Sequence, residues 1–163
     1  MSAPTRTRSQ IGKASREKGA RFERAVANAI KPWFPDARRS RDNGSATTSD
    51  TGDLAGTHDG LFFSLKDVAA ARTEPPALIN GWLAEAHVKG DDRIPLVVVK
   101  RQGRADPLMS WTWLPLGDLL IVAGWGAEAL PLCSAPVRME LRHVLDLLAA
   151  AGYGQRPDHD KED

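Results

Sequence analysis

The sequence contains a single cysteine, Cys133, and no long hydrophobic segment. One cysteine cannot form an internal disulfide bond, and no Cys/His cluster indicates a zinc site. The longest apolar segment, residues 119–125, is interrupted by Gly124 and falls well short of the roughly 20 residues that span a bilayer. The N-terminal residues are polar and basic and lack the apolar core of a secretory signal. We therefore expect a cytoplasmic protein with no membrane partner.

The net charge of +1 conceals a strong asymmetry along the chain. Residues 1–41 contain 11 Lys and Arg against 3 Asp and Glu, whereas the remainder contains 11 against 18. Such segregation indicates an anionic partner for the first quarter of the chain. DNA is the partner that we favour, because the basic segment leads directly into the candidate catalytic residues. An acidic protein partner is the alternative.

The length of 163 residues predicts one domain, over residues 14–154, between a disordered basic tail (1–13) and a polar tail (155–163). A first helix is predicted from near Ser15 to Pro32, where proline ends it. The other predicted strands and helices are strands at 37–41, 53–55, 61–68, 94–99 and 110–114, and helices at 77–88, 116–122 and 137–150. This order predicts an α/β fold in which helices flank a mixed central sheet.

Three residues in this pattern suggest phosphodiester chemistry: Glu23, Asp53 and Lys66. Glu23 borders the apolar stripe of the first helix, so its carboxylate is expected to approach the sheet. The period of two in the 61–68 strand puts Ser64 and Lys66 on the same face. Carboxylates hold hard divalent cations, and a lysine can polarise the attacking water and the phosphate.

The residues that surround these three resemble the PD-(D/E)XK nuclease superfamily, and most closely its Holliday-junction-resolvase-like members from phages and bacteria. The resemblance rests on Ser15-Arg-Glu-Lys-Gly-Ala-Arg-Phe-Glu23-Arg, on Gly52-Asp53-Leu54 and on the strand of Lys66. It continues through Trp82 and Ala86, the strand at 94–101 and the Trp-containing strand at 111–113, and it covers about residues 15–115.

The resemblance implies a restriction-endonuclease-like core and a Mg²⁺- or Mn²⁺-dependent DNA endonuclease. Asp53 would be the principal metal ligand and Glu23 the helix-borne acid that assists it. The backbone carbonyl of Leu65 would be a further ligand, and Lys66 the catalytic lysine. Branched junctions would be the substrate, and a homodimer would cut both strands symmetrically.

The sequence departs from this family at Ser64, where an acidic residue or Gln is usual two positions before the lysine. Three interpretations remain open. Ser64 could reach the metal through water, or another carboxylate (Asp50, Asp59 or Asp67) could replace the missing acid. Alternatively, the chain is a non-catalytic DNA-binding protein on a degenerate nuclease fold. Asp67 is the least favoured substitute, because a regular strand points it away from Lys66.

Six basic residues are candidates for contacts with DNA phosphates: Arg16, Lys18, Arg21, Arg38, Arg39 and Arg41. Tryptophans invite a base-stacking role. However, the apolar surroundings of Trp33, Trp82, Trp111 and Trp113 predict core positions instead. Trp125, between two glycines, is the one that we leave open.

Overall fold

The computed structural model describes residues 8–40, 52–69, 73–125 and 134–157. In chain order the elements are α1 (Arg8–Ala29), β1 (Arg38–Arg39), β2 (Leu54–Ala55), β3 (Leu61–Lys66), α2 (Pro76–Gly90), β4 (Ile94–Val99), a 3-10 helix (Pro107–Met109), β5 (Trp111–Pro115), α3 (Leu116–Val122), β6 (Pro136–Glu140) and α4 (Leu141–Ala150). None of the helices within these ranges is both long enough and apolar enough to cross a bilayer.

Four strands form the central sheet in the order β3-β4-β5-β6. β3 and β4 are parallel and are joined through α2, as a parallel pair requires. The β4–β5 and β5–β6 pairs are antiparallel. The predicted α/β class, with a mixed sheet and flanking helices, is therefore confirmed.

The two faces of the sheet are covered by different helices, because successive strand side chains point to opposite faces. Leu61, Phe63 and Leu65 of β3 pack into a large cluster with α1 and α4. Phe62 packs into a second cluster with residues of α2 and β4. Strand β4 is buried over its whole length, since its apolar, largely β-branched side chains serve both clusters.

A short antiparallel pair of strands, β1 and β2, lies beside β3. Arg39 of β1 lies opposite Leu54 of β2. The backbone N–H of Asp53 then donates a 2.8 Å hydrogen bond to the Phe63 carbonyl of β3. Because of this bond, the residues of the β1–β2 pair are held against the outer edge of the central sheet.

The predicted start of the first helix is wrong. Helix α1 begins at Arg8 rather than near Ser15, so residues 8–13 of the predicted tail are helical. Residues 11–18 are exposed. Local propensity favours this first part of the helix, because seven of residues 8–18 are Arg, Lys, Gln, Glu or Ala and none is proline. Residues 1–7 lie outside the described ranges.

The predicted polar tail also begins inside the folded part of the chain. The backbone N–H of Gln155 donates to the Trp33 carbonyl at 3.0 Å, and its side-chain amide donates to the Pro32 carbonyl at 3.0 Å. These two bonds attach residue 155 to the turn that follows α1. The rest of the predicted tail is described only as far as residue 157.

The helix predicted over residues 137–150 is wrong in its first part. Residues 136–140 form β6, which pairs with β5, and α4 begins only at Leu141. The apolar residues Val137, Leu141 and Val144 fit a helical period, which misled the prediction. Pairing with β5 overrides it, since hydrogen bonds with a neighbouring strand satisfy the backbone while Val137 and Met139 still reach the core.

The tryptophans divide into three groups. Trp33 is buried at 4% exposure, as predicted. Trp82, Trp111 and Trp113 are partly buried and pack against the second cluster, which contains Phe62 and residues of α2 and β4. They therefore border the core. Trp125 is 62% exposed.

Candidate active site

Asp53 is attached to the strand that contains Lys66. Its Oδ2 accepts a 2.6 Å hydrogen bond from the backbone N–H of Leu65, and its own N–H bonds to the Phe63 carbonyl. Its carbonyl accepts a 3.1 Å bond from the N–H of Ser40. The Asp53 carboxylate is therefore fixed by backbone contacts at the outer edge of β3, one residue before Lys66.

The backbone carbonyl of Leu65 lies at this same edge. The neighbouring carbonyl, that of Lys66, accepts a 3.0 Å bond from Lys100 on the β4 side. Since successive carbonyls along a strand point to opposite edges, the Leu65 carbonyl points towards Asp53. The family resemblance implies that these two oxygen donors are metal ligands, and both lie at one edge of β3.

Glu23, on α1, contacts Arg39 of β1. The Nε of Arg39 donates to Oε2 of Glu23, and both side chains are about 15% exposed. Arg39 lies opposite Leu54, the residue after Asp53. The helix-borne acid is thus joined by an ion pair to the strand pair that positions Asp53.

A surface concavity of about 630 Å³ opens beside Glu23. Its charged lining consists of two acids, Glu17 and Glu23, and four arginines, Arg16, Arg21, Arg24 and Arg39. Three of these arginines are among the predicted phosphate contacts, and Arg24 is an addition that the sequence reasoning missed. Four arginines against two carboxylates give this lining an excess of positive charge, which favours an anion.

Lys66 is directed towards α2. Its Nζ lies 3.8 Å from Oε2 of Glu85 and 5.6 Å from the centre of the Trp82 ring. Ser64 is 9% exposed on the same face of β3, as the alternation of the strand predicts. The structure therefore places Asp53 beside the Lys66 strand but directs the Lys66 ammonium to the α2 face, whereas Glu23 lies on α1.

Glu85 is a candidate functional residue that the sequence reasoning missed. A hydrogen bond from Lys89, followed by the charge of Lys66, lowers the pKa of Glu85, so its carboxylate stays ionised beside Lys66. A signal was present in the sequence: Glu85 lies three residues after Trp82, which is the spacing of neighbours on one helix surface. Its proximity to Lys66 depends on how α2 packs.

Of the three alternative carboxylates named for the Ser64 position, the two that the structure describes do not lie beside Lys66. Asp50 falls outside the described residues. Asp59 is exposed in the turn before β3, at the opposite end of that strand from Lys66. Asp67 contacts Lys18 of α1 and Lys100, on the other face of the sheet. The prediction that Asp67 points away from Lys66 is confirmed.

The oxygen donors fit a hard divalent cation. Within the described ranges, no group of three or more His, Cys, Asp or Glu side chains is arranged to hold a metal ion. Mg²⁺ usually binds through one or two carboxylates and keeps several waters. Asp53, Glu23 and the Leu65 carbonyl offer oxygen donors of the kind that Mg²⁺ or Mn²⁺ prefers. Asp53 and the Leu65 carbonyl lie at one edge of β3, whereas Glu23 is paired with Arg39.

The predicted DNA contacts separate into groups. Arg16, Arg21 and Arg39 line the concavity. Lys18 pairs with Asp67 instead. Arg38 is exposed and donates a 3.2 Å bond to the Asp36 carbonyl. Arg41 lies outside the described residues.

Compared with models of protein families, with curated proteins and with solved structures, the chain matches none of them.

Proposed function

We propose that this chain is a Mg²⁺- or Mn²⁺-dependent DNA endonuclease on a restriction-endonuclease-like core, with branched junctions as its substrate. The observation that carries the proposal is the 2.6 Å bond from the Leu65 N–H to Asp53 Oδ2. This bond holds the Asp53 carboxylate against Leu65, the residue before Lys66. An acid held at the edge of the strand that contains Lys66, and an arginine-lined concavity beside a second acid, are groups of the kind that phosphodiester hydrolysis uses.

The proposed roles are those that the family resemblance implies, applied to the residues as they lie here. Asp53, Glu23 and the Leu65 carbonyl would hold the cation, which when bound supplies Lewis-acid activation of the phosphodiester. Lys66 would place its ammonium at the scissile phosphate. Arg16, Arg21 and Arg39 would bind flanking phosphates, which position DNA without reading its sequence.

Glu85 would supply the carboxylate that Ser64 does not. Its ionised side chain lies 3.8 Å from the Lys66 ammonium. In that position its charge faces the Lys66 ammonium and limits the directions in which the amine can point. Ser64 is buried on the same face of β3.

The direct test is cleavage of labelled four-way junction, flap and duplex DNA with Mg²⁺, with Mn²⁺ and with a chelator. The wild type is compared with Asp53→Asn and Lys66→Gln. Asp59→Asn and Lys31→Gln are matched controls, because both residues are exposed and lie away from the site. We expect metal-dependent cleavage by the wild type and both controls and its loss in the two site variants. Equal activity in all five proteins would remove the assignment.

The dimer is tested separately. Symmetric cutting of a junction needs two sites, so we propose that two copies bind one junction. Light scattering on the junction complex should give the mass of two chains. A complex with one chain that still cuts both strands would contradict it.

A second candidate function is DNA binding without cleavage. It is favoured by the absence, among the described residues, of a three-acid metal group and by the pairing of Lys66 with Glu85. It predicts salt-sensitive DNA binding with no product under any metal condition. Gain of cleavage in Ser64→Glu would then indicate a lapsed site on this fold.

A further inference from the structure

A buried carboxylate holds two lysines together immediately after the Lys66 strand. The Asp67 side chain is 1% exposed. Its Oδ1 lies 2.9 Å from Nζ of Lys18, and its Oδ2 lies 3.3 Å from Nζ of Lys100. One carboxylate therefore brings together ammonium groups from α1 and from the end of β4.

The two lysines remain open to solvent while Asp67 does not. The side chain of Lys18 is 47% exposed and that of Lys100 is 40% exposed. An ammonium group has three donors, so a contact with Asp67 leaves further donors for another ligand. The cluster keeps a net charge of +1, because one acid faces two amines.

The position of Lys100 is restricted from a second side. Its Nζ lies 5.8 Å from the centre of the Phe22 ring, which is itself buried. Its backbone N–H bonds to the Lys66 carbonyl at 3.0 Å. The amine is thus placed by the strand that contains the candidate catalytic lysine, on the face of the sheet opposite to Glu85.

We propose that Lys18 and Lys100 form a phosphate clamp for the DNA backbone and that Asp67 is the positioning residue that sets the clamp. The inference deepens the proposed function, since it names further contacts of the same DNA substrate. A bare surface lysine loses side-chain entropy when it binds a phosphate. Here the buried carboxylate restricts both amines before the phosphate arrives. Lys100 thereby joins the DNA-binding residues, although it is distant in sequence from the basic N-terminal segment.

The test is DNA binding by fluorescence anisotropy in a chelator, over a series of salt concentrations. Lys18→Gln and Lys100→Gln should each weaken DNA binding. Each should also reduce the magnitude of the slope of log K against log salt by about 0.9, which is the value for one lost phosphate contact on duplex DNA. Lys31→Gln removes the same charge at an exposed position after α1 and should leave the slope unchanged. A Lys100→Gln slope equal to that of the wild type would overturn the clamp.

The Asp67→Asn variant distinguishes a positioning role of Asp67 from the effect of its negative charge on DNA binding. Loss of a negative charge by itself predicts tighter DNA binding, whereas loss of the positioning group predicts weaker binding and a lower slope. Weaker binding by a variant that melts cooperatively supports the clamp, and tighter binding overturns the role of Asp67. If this variant does not fold, the Lys100→Gln slope still decides the clamp.

The outcomes for the clamp and for the nuclease are distinguishable. Binding is measured without metal, so wild-type protein that binds DNA but never cuts it would remove the nuclease assignment and leave the clamp testable. Cleavage with unchanged salt slopes in both lysine variants would leave the nuclease and remove the clamp. Failure of the wild type to bind DNA at low salt would overturn the clamp.

Discussion

The Lys66 ammonium lies 3.8 Å from the Glu85 carboxylate, across the contact between β3 and α2. These residues are nineteen positions apart in the sequence, and the intervening chain enters α2 through Pro75 and Pro76. The pair joins a residue that the family resemblance marks as catalytic to one that it does not mark. It also lies on the face of the sheet where Ser64 replaces the usual acid.

Glu85→Gln should lower metal-dependent DNA cleavage by at least about 10-fold, the lower end of what loss of a supporting partner costs a metal site. The amide keeps the shape of the side chain but loses the charge that faces Lys66. The measurement is the initial rate on junction DNA. Asp92→Asn, at an exposed acid just beyond α2, is the control and should retain the wild-type rate. Equal rates in the two variants would exclude a role for Glu85.

Gly56→Ala should destabilise the fold more than Gly103→Ala. Both glycines have φ of +73°, so alanine is strained at both by about 1–2 kcal/mol. At Gly56 a β-carbon would also lie 1.9 Å from the Asp36 backbone oxygen, whereas at Gly103 nothing lies within 4 Å. Urea unfolding of the two variants isolates the clash from the φ strain. Similar losses would show that the turn after β2 yields easily.

Trp33→Phe should lower the free energy of unfolding by about 1–3 kcal/mol, through a lost hydrogen bond and lost packing. The indole N–H donates a 3.0 Å bond to Oδ1 of Asp146, which joins the turn after α1 to α4. Trp125→Phe, at a 62% exposed position, should change stability by less than about 0.5 kcal/mol. Urea midpoints with unchanged m-values would measure both. A larger loss of stability in Trp125→Phe than in Trp33→Phe would contradict the exposure of these two side chains in the structure.

Asp118→Asn should stabilise the protein at neutral pH. Burial raises the pKa of the Asp118 carboxyl, against a smaller opposing effect from His87. The folded state therefore favours the neutral form. Its contribution to stability is complete below the ordinary carboxyl pKa and is lost as pH rises through the raised one. Asparagine keeps the neutral form at every pH. The gain in melting temperature should be present at neutral pH and absent at strongly acid pH, and a gain of equal size at both would contradict this cause.

Local patterns in the sequence predicted much of the fold. Strand β4 and helix α3 have the bounds that their apolar patterns indicated. Alternation along β3 correctly put Ser64 and Lys66 on one face and turned Asp67 to the other. The prediction for residues 137–150 was wrong in its first part, because the apolar spacing fits a helix whereas the backbone of residues 136–140 pairs with β5.

The neighbours of the candidate site residues were less predictable. The sequence indicated the strand that contains Lys66 but not that Glu85 would face it. It also gave no sign that Asp67 would be buried between Lys18 and Lys100. Both contacts join side chains from separate elements, so they depend on how α1 and α2 pack on the sheet.

By itself, the sequence determined the α/β class, the bounds of several elements and the face on which each β3 side chain lies, because these follow from local propensity and from the period of a strand. Only the tertiary structure decided which charges meet. Coulombic contacts act over a few ångströms between residues far apart in the chain, and packing of the apolar clusters sets those distances.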